Sequence, residues 1–231
     1  VGPNVVLAVS GDFDPRALGP KLKAFLARIP RGAALEVDLT RVMARSLPAT
    51  VGDFVEIEPR EQAVVLQAFP GCRVNAADFY VSEVADELFS GMASRLFERV
   101  REEKGLAYFV RSGRVTGLDA GMFYFLAGTQ PGKEGEVLAE IDAEIARVVA
   151  GAVEPAELLR CKARLKAARR QSLQTNSARA MQAGLNALQG QPINDWKNYD
   201  GQVEGVTIAD LAEFAARRFA RGLRTQLVVR P

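Results

Sequence analysis

The chain has 231 residues, 48% of them hydrophobic and 25% charged, a balance typical of a globular protein whose core needs no disulfide or metal. Its 30 basic and 28 acidic residues give a net charge of +2, which argues against a dedicated nucleic-acid-binding protein. The sequence contains no histidine, the commonest zinc ligand, and its two cysteines fit no metal-ligand spacing. No apolar run is long enough to cross a bilayer. From these three observations we predict no nucleic-acid partner, no metal site and no membrane span.

The first predicted elements are a strand and a helix near the start of the chain. Val5–Val9 is a short, apolar and largely β-branched run, typical of a buried strand. Asp14 and Pro15 are the residue types favoured at a helix N-cap and first turn, and Pro30 ends the helix that follows. Because the sequence begins inside this strand region, we expect it to be a piece of a longer protein.

Beyond the first helix, the pattern divides into a connection and a larger folded region. Residues 31–60 have no helical period and are interrupted by proline and glycine, which favours a linker. From residue 61 onwards, strands alternate with helices, and both hairpins and helix pairs join the strands. We therefore predict an α+β fold, with an antiparallel or mixed sheet packed against helices. Its main predicted elements are strands at Ala63–Phe69, Leu106–Val110, Met122–Thr129 and Gln226–Val229, a helix at Glu134–Val149, and a long helix from Pro155 to about Gly190.

A basic run in the long helix raises the question of nucleic acid. Six cations follow one another closely, with few carboxylates between them: Arg160, Lys162, Arg164, Lys166, Arg169 and Arg170. The run has no interleaved aromatic residues, and the whole chain is almost neutral. We therefore interpret it as a solvated helix face, and nucleic-acid binding remains the less favoured alternative.

The most specific segment is residues 89–108, which read FSGMASRLFERVREEKGLAY. This stretch resembles a characteristic segment of the pitrilysin/insulinase family of zinc metallopeptidases, in the branch of the mitochondrial processing peptidases and their bacterial relatives. Three further segments resemble that family in the same order along the chain: residues 5–15, 172–179 and 206–229. The resemblance therefore covers nearly the whole sequence.

That resemblance implies a domain plan. Members of the family pair two similar halves in a clamshell, and an H-x-x-E-H helix in the first half holds zinc and the general base. On this plan, residues 1–30 are the terminal strand and helix of the zinc-bearing half, 31–60 the linker, and 61–231 the C-terminal substrate-contacting domain. The resemblance thus implies zinc in the full-length protein, and no zinc ligand and no catalytic residue in this chain.

Two residues of the segment correspond to family residues that contact the peptide substrate. Arg101 matches an arginine on the helix, and Tyr108 matches a tyrosine on the strand after it. A guanidinium and a phenol can both donate hydrogen bonds to a carbonyl oxygen that gains negative charge during attack. Without the resemblance, a surface arginine and a core tyrosine would be the simpler interpretation.

The sequence therefore predicts the C-terminal part of a zinc-dependent endopeptidase that acts on peptides or unfolded polypeptides. The alternative is a non-catalytic partner subunit of the same family. In either case the expected partner is the N-terminal zinc-bearing half or another subunit. Because Val5–Val9 would lack its native sheet in this chain, we also expect self-association, with a homodimer as its simplest form.

Overall fold

A computed structural model of the chain describes residues 1–34 and 51–231. The strands are β1 (Gly52–Ile57), β2 (Ala63–Pro70), β3 (Ala107–Thr116), β4 (Gly121–Thr129) and β5 (Thr225–Arg230). The helices are α1 (Pro15–Leu26), α2 (Phe79–Phe89), α3 (Glu134–Val149), α4 (Pro155–Ser172), α5 (Asn176–Leu188), α6 (Tyr199–Gly205) and α7 (Ile208–Arg218), and Phe97–Glu103 forms a π-helix.

The strands form one five-stranded sheet in the order β1-β5-β2-β4-β3. β1 runs parallel to β5, and the other neighbouring strands pair antiparallel. Helices α2, α3 and α7 pack on one side of this mixed sheet. The predicted α+β fold is therefore confirmed.

The core lies between the sheet and these helices, and strand alternation explains which side chains enter it. Along β2, fully buried residues alternate with partly exposed ones, because successive side chains point to opposite faces of a strand. Aromatic rings fill the centre of the core in edge-to-face and tilted contacts, with centroids 4.8 to 6.3 Å apart, among Phe69, Phe89, Phe123, Phe125, Phe214 and Phe219. The opposite sheet face is apolar but only partly buried, and its members include Val64, Leu66, Tyr124, Leu126 and Leu227.

The predicted strand at Val5–Val9 does not form. These residues pair with no strand in the described parts of the chain, and four of them are more than 40% exposed. The segment instead lies along α5, where the Cβ of Ala8 is 3.5 Å from the position that a Cβ on Gly184 would occupy. An apolar, β-branched run favours a strand only where a neighbouring strand is available to pair with it.

Two further boundaries differ from the sequence analysis. β1 lies within residues 31–60, which were assigned to the linker, and residues 35–50 of that range lie outside the described residues. The long helix predicted from Pro155 is divided into α4 and α5 at residues 173–175. Thr175 explains the second start, because its hydroxyl accepts a hydrogen bond from the Ala178 amide at 3.1 Å.

Candidate functional site

The segment that carries Arg101 is a short π-helix anchored by its buried face. Leu96 and Val100 are fully buried in the core, while most other side chains of the segment point outward. Two α-helical residues, Arg95 and Leu96, precede the π-helix, and Ser94 caps them, since its hydroxyl accepts a hydrogen bond from the Phe97 amide at 3.2 Å. The helix therefore has a fixed rotation about its axis, which presents Arg101 to solvent. Single π-turns occur frequently at functional sites.

Gly105 turns the chain from this helix into β3. Its φ of +60° lies in the left-handed region, which a glycine at the end of a helix adopts readily. Two backbone bonds close the turn, from the Gly105 amide to the Arg101 carbonyl at 3.1 Å and from the Leu106 amide to the Val100 carbonyl at 2.9 Å. The Thr129 hydroxyl donates to the Leu106 carbonyl at 2.6 Å, which ties the turn to β4.

Arg101 has a largely free guanidinium. Its side chain is 45% exposed, and its nearest carboxylate oxygen belongs to Glu102, 3.8 Å from Nε. The guanidinium carbon lies 4.8 Å from the centroid of the Phe97 ring, an arrangement that steadies the side chain without using its hydrogen-bond donors. Arg101 can therefore offer its donors to an external acceptor.

Tyr108 lies at a β-bulge, and this corrects the predicted strand faces. Regular alternation along the predicted strand Leu106–Val110 would place Leu106, Tyr108 and Val110 on one face. The register shifts between Ala107 and Phe109, so Tyr108 has no partner on β4, and Tyr108 and Phe109 are both exposed while Ala107 and Val110 are buried. The bulge places the phenol, 49% exposed, beyond the regular ladder. Alternation alone could not have predicted this extra residue.

Arg95 is a structural residue of this region that the sequence analysis did not single out. Its side chain is only 10% exposed. It forms a bidentate salt bridge with Glu157, with Nε–Oε1 at 3.1 Å and Nη2–Oε2 at 2.6 Å. The guanidinium also donates to the Ala152 carbonyl and lies 3.7 Å from Glu144, whose pKa is raised by burial. Arg95 therefore fastens the start of the candidate site to α3 and α4.

Four of the six basic side chains in the α4 run contact acidic residues of neighbouring helices. Lys162 is buried and donates to the Glu204 carbonyl at 2.6 Å, and Lys166 pairs with the Glu204 carboxylate at 2.7 Å. Arg164 pairs with Glu87 at 2.9 Å, and Arg170 pairs with Asp200 at 2.5 Å. Three members of the run thus form ion pairs to α2 and α6, while Arg160, Arg164 and Arg170 are exposed, as expected of a solvated helix face.

Residues 1–34 and 51–231 contain no candidate metal site and no membrane-spanning helix. No group of three or more potential metal ligands occurs there. Both cysteines are buried free thiols, and burial raises the pKa of Cys161 to about 11. No helix in these regions combines the length and apolar character that crossing a membrane requires.

The fold and sequence both match known proteins. Residues 1–165 match the family described as the peptidase M16 inactive domain. The chain is 31% identical over 186 residues to the uncharacterized zinc protease YmxG of Bacillus subtilis, which covers 80% of this chain and 44% of that protein. The chain therefore spans less than half the length of this curated relative.

Solved structures show the same architecture. A protease from Helicobacter pylori superposes with a TM-score of 0.81 at 20% identity, over 96% of this chain and 54% of the other. A peptidase M16 inactive domain from Pseudomonas fluorescens gives a TM-score of 0.81 at 19% identity, over 96% of this chain and 52% of the other. The resemblance to the pitrilysin/insulinase metallopeptidases is thus confirmed, and the chain belongs to the peptidase M16 family, as its inactive domain.

Proposed function

We propose that this chain is the substrate-binding half of a zinc-dependent endopeptidase, with zinc and the general base upstream of its sequence. In this proposal Arg101 and Tyr108 hold the peptide near the scissile bond and donate hydrogen bonds to its carbonyl oxygens. The proposal rests on two exposed hydrogen-bond donors that flank the turn at Gly105. The Arg101 side chain is 45% exposed and Tyr108 is 49% exposed, while buried residues and hydrogen bonds hold the backbone around them in place. Preorganised donors of this kind stabilise the negative charge that develops when water attacks a carbonyl.

The open sheet face supports a peptide as the ligand. Its partly buried apolar side chains lie beside β3, the strand on which Tyr108 is placed. A peptide on this face would bury apolar surface from several residues, while the two polar tips would fix the position of its backbone. In this proposal the sheet face binds the apolar side chains of the peptide, and Arg101 and Tyr108 bind its carbonyl oxygens.

The test uses the protein together with its upstream half. We expect Arg101→Ala and Tyr108→Phe each to lower kcat by about ten- to a thousandfold, since each removes a donor to the transition state. The melting temperature should change little, because exposed side chains contribute about half a kcal/mol or less. Arg160→Ala is the matched control, because it removes an exposed arginine from α4, which is outside the site.

Three outcomes bear on the proposal. Turnover unchanged in both variants, or a loss fully explained by unfolding, would remove these residues from the mechanism. An upstream sequence without an H-x-x-E-H motif, in a protein that cleaves no peptide, would favour the non-catalytic partner subunit instead.

A further inference from the structure

A cationic pocket lies at the end of α4, apart from the segment that carries Arg101 and Tyr108. It has a volume of about 400 Å³, and four basic side chains line it: Arg169, Arg170, Arg179 and Lys197. Asp200 is the one carboxylate in its lining. Leu173 and Trp196 complete the walls, and the Trp196 ring is 46% exposed. The pocket thus combines excess positive charge with an apolar wall.

Three of the four cations have no carboxylate partner among the described residues. Arg170 uses the Asp200 carboxylate, whereas Arg179 donates from Nε to the Leu173 carbonyl at 2.8 Å. Lys197 places its ammonium 5.7 Å from the centre of the Trp196 ring. This differs from the middle of α4, where the basic side chains at 162, 164 and 166 are all engaged by a carboxylate or a carbonyl.

Arg169 adds to the wall of this pocket a further cation for which residues 1–34 and 51–231 provide no carboxylate partner. One of its terminal nitrogens donates to Gln182 at 3.1 Å, and its guanidinium lies 5.2 Å from the Tyr199 ring centroid. Its Nε atom is buried and has no hydrogen-bond partner within the described chain. A buried donor without an acceptor is costly, and clustered like charges repel one another. An oxyanion in the pocket would offset the repulsion between the guanidinium groups that line it.

We propose that this pocket binds the C-terminal residue of a peptide. The carboxylate would lie among the arginines, whose planar donor sets match it in geometry, and the last side chain would contact Trp196 and Leu173. A pocket of this size, with a few polar groups and an apolar wall, is typical of a site for a small ligand. The choice of a peptide as the source of the carboxylate rests on the proposed function, whereas recognition of the carboxylate does not.

The chain contains its own reporter for this site. Trp196 is its only tryptophan, so intrinsic fluorescence reports on the pocket wall. The probe is the acetylated tripeptide Ala-Ala-Leu with a free carboxylate, compared with the same peptide as its C-terminal amide. Inorganic phosphate at matched ionic strength is the third probe, and calorimetry on the same samples detects binding to which the indole does not respond. We expect saturable binding of the acid and at least tenfold weaker binding of the amide and of phosphate.

Charge-neutral variants locate the site. Arg179→Gln and Lys197→Gln should each weaken binding of the acid by about tenfold, the loss of one charge-assisted hydrogen bond. Arg160→Gln, on the same basic helix outside the pocket, should leave binding unchanged. Equal binding of acid and amide, equal or tighter binding of phosphate, equal weakening by Arg160→Gln, or no response by either method would overturn the proposal. None of these binding experiments measures proteolysis. A negative result would therefore contradict the carboxylate site without contradicting the proposed function.

Discussion

Arg95 and Arg101 lie on the same stretch of chain but have opposite surroundings. Arg95 is 10% exposed and contacts two carboxylates, one of them at 2.6 Å, whereas Arg101 is 45% exposed and its nearest carboxylate, that of Glu102, is 3.8 Å away. The same residue type thus has a structural role at one position and is available to a ligand at the other. A sequence motif alone does not separate the two, because both belong to the segment on which the family resemblance rests.

The contrast gives a prediction on stability. We expect Arg95→Ala to lower the free energy of unfolding by about 3 kcal/mol or more, because it leaves the largely buried Glu157 without its cation and Glu144 with Arg147 alone among the described cations. Arg95→Lys should lower the free energy of unfolding by less, because an ammonium keeps the positive charge but cannot form the bidentate salt bridge to Glu157. Urea denaturation measures both variants, with Arg101→Ala as the control. A similar loss in Arg101→Ala would contradict the assignment of roles.

Asp86 carries a prediction on pH. Burial raises the pKa of its carboxyl above the ordinary value of 3.8, although the Ser112 hydroxyl donates to it at 2.6 Å. Because the pKa is higher in the folded state, the folded protein still binds this proton at pH values where the unfolded chain has released it. Through this group, the free energy of unfolding therefore falls as pH rises above about 4. Asp86→Asn should therefore gain stability relative to the wild type between pH 3 and pH 7. Denaturation across that range tests it, and Asp12→Asn should show no such gain.

At the scale of the elements, the sequence predicted those parts that depend on residues close together in the chain. The predicted helix Glu134–Val149 has the same bounds as α3, and the predicted strand Ala63–Phe69 matches β2 within a residue. The bulge at Tyr108 and the absence of a strand at Val5–Val9 depend instead on which strands are available as neighbours. Such pairings are tertiary properties, so a local pattern could not predict them.

The hairpin between β3 and β4 depends on a close backbone approach at Gly121. A Cβ at this position would lie 2.2 Å from the Cys72 carbonyl oxygen and 2.9 Å from that of Val115. Gly121→Ala should therefore destabilise the protein by about 2 kcal/mol or more, because backbone atoms cannot move aside as a flexible side chain can. Gly135→Ala in α3 is the control, since nothing lies within 4 Å of its Cβ position, and it should be neutral or slightly stabilising. Equal melting temperatures for the two variants would refute this prediction.

At the scale of the whole molecule, residues 1–30 contribute little to the main core. None of them is fully buried, and all five strands of the sheet lie within residues 52–230. We expect their deletion to leave the sheet folded and to remove an exposed apolar segment that favours self-association. Sedimentation of the chain with and without residues 1–30 measures this. Monomers in both cases would contradict the predicted homodimer, and loss of near-ultraviolet circular dichroism on deletion would contradict the independence of the sheet.

The parallel pairing of β1 with β5 has a mechanical consequence. β1 lies at the edge of the sheet, and its ladder aligns Gly52 with Thr225 and Ile57 with Arg230. A pull on the chain before Gly52 that is directed along the strand acts across the hydrogen bonds of this ladder. It therefore loads them together in shear, whereas a pull away from the sheet would break them one after another. The direction of the applied force therefore determines how large a force is needed to separate β1 from β5.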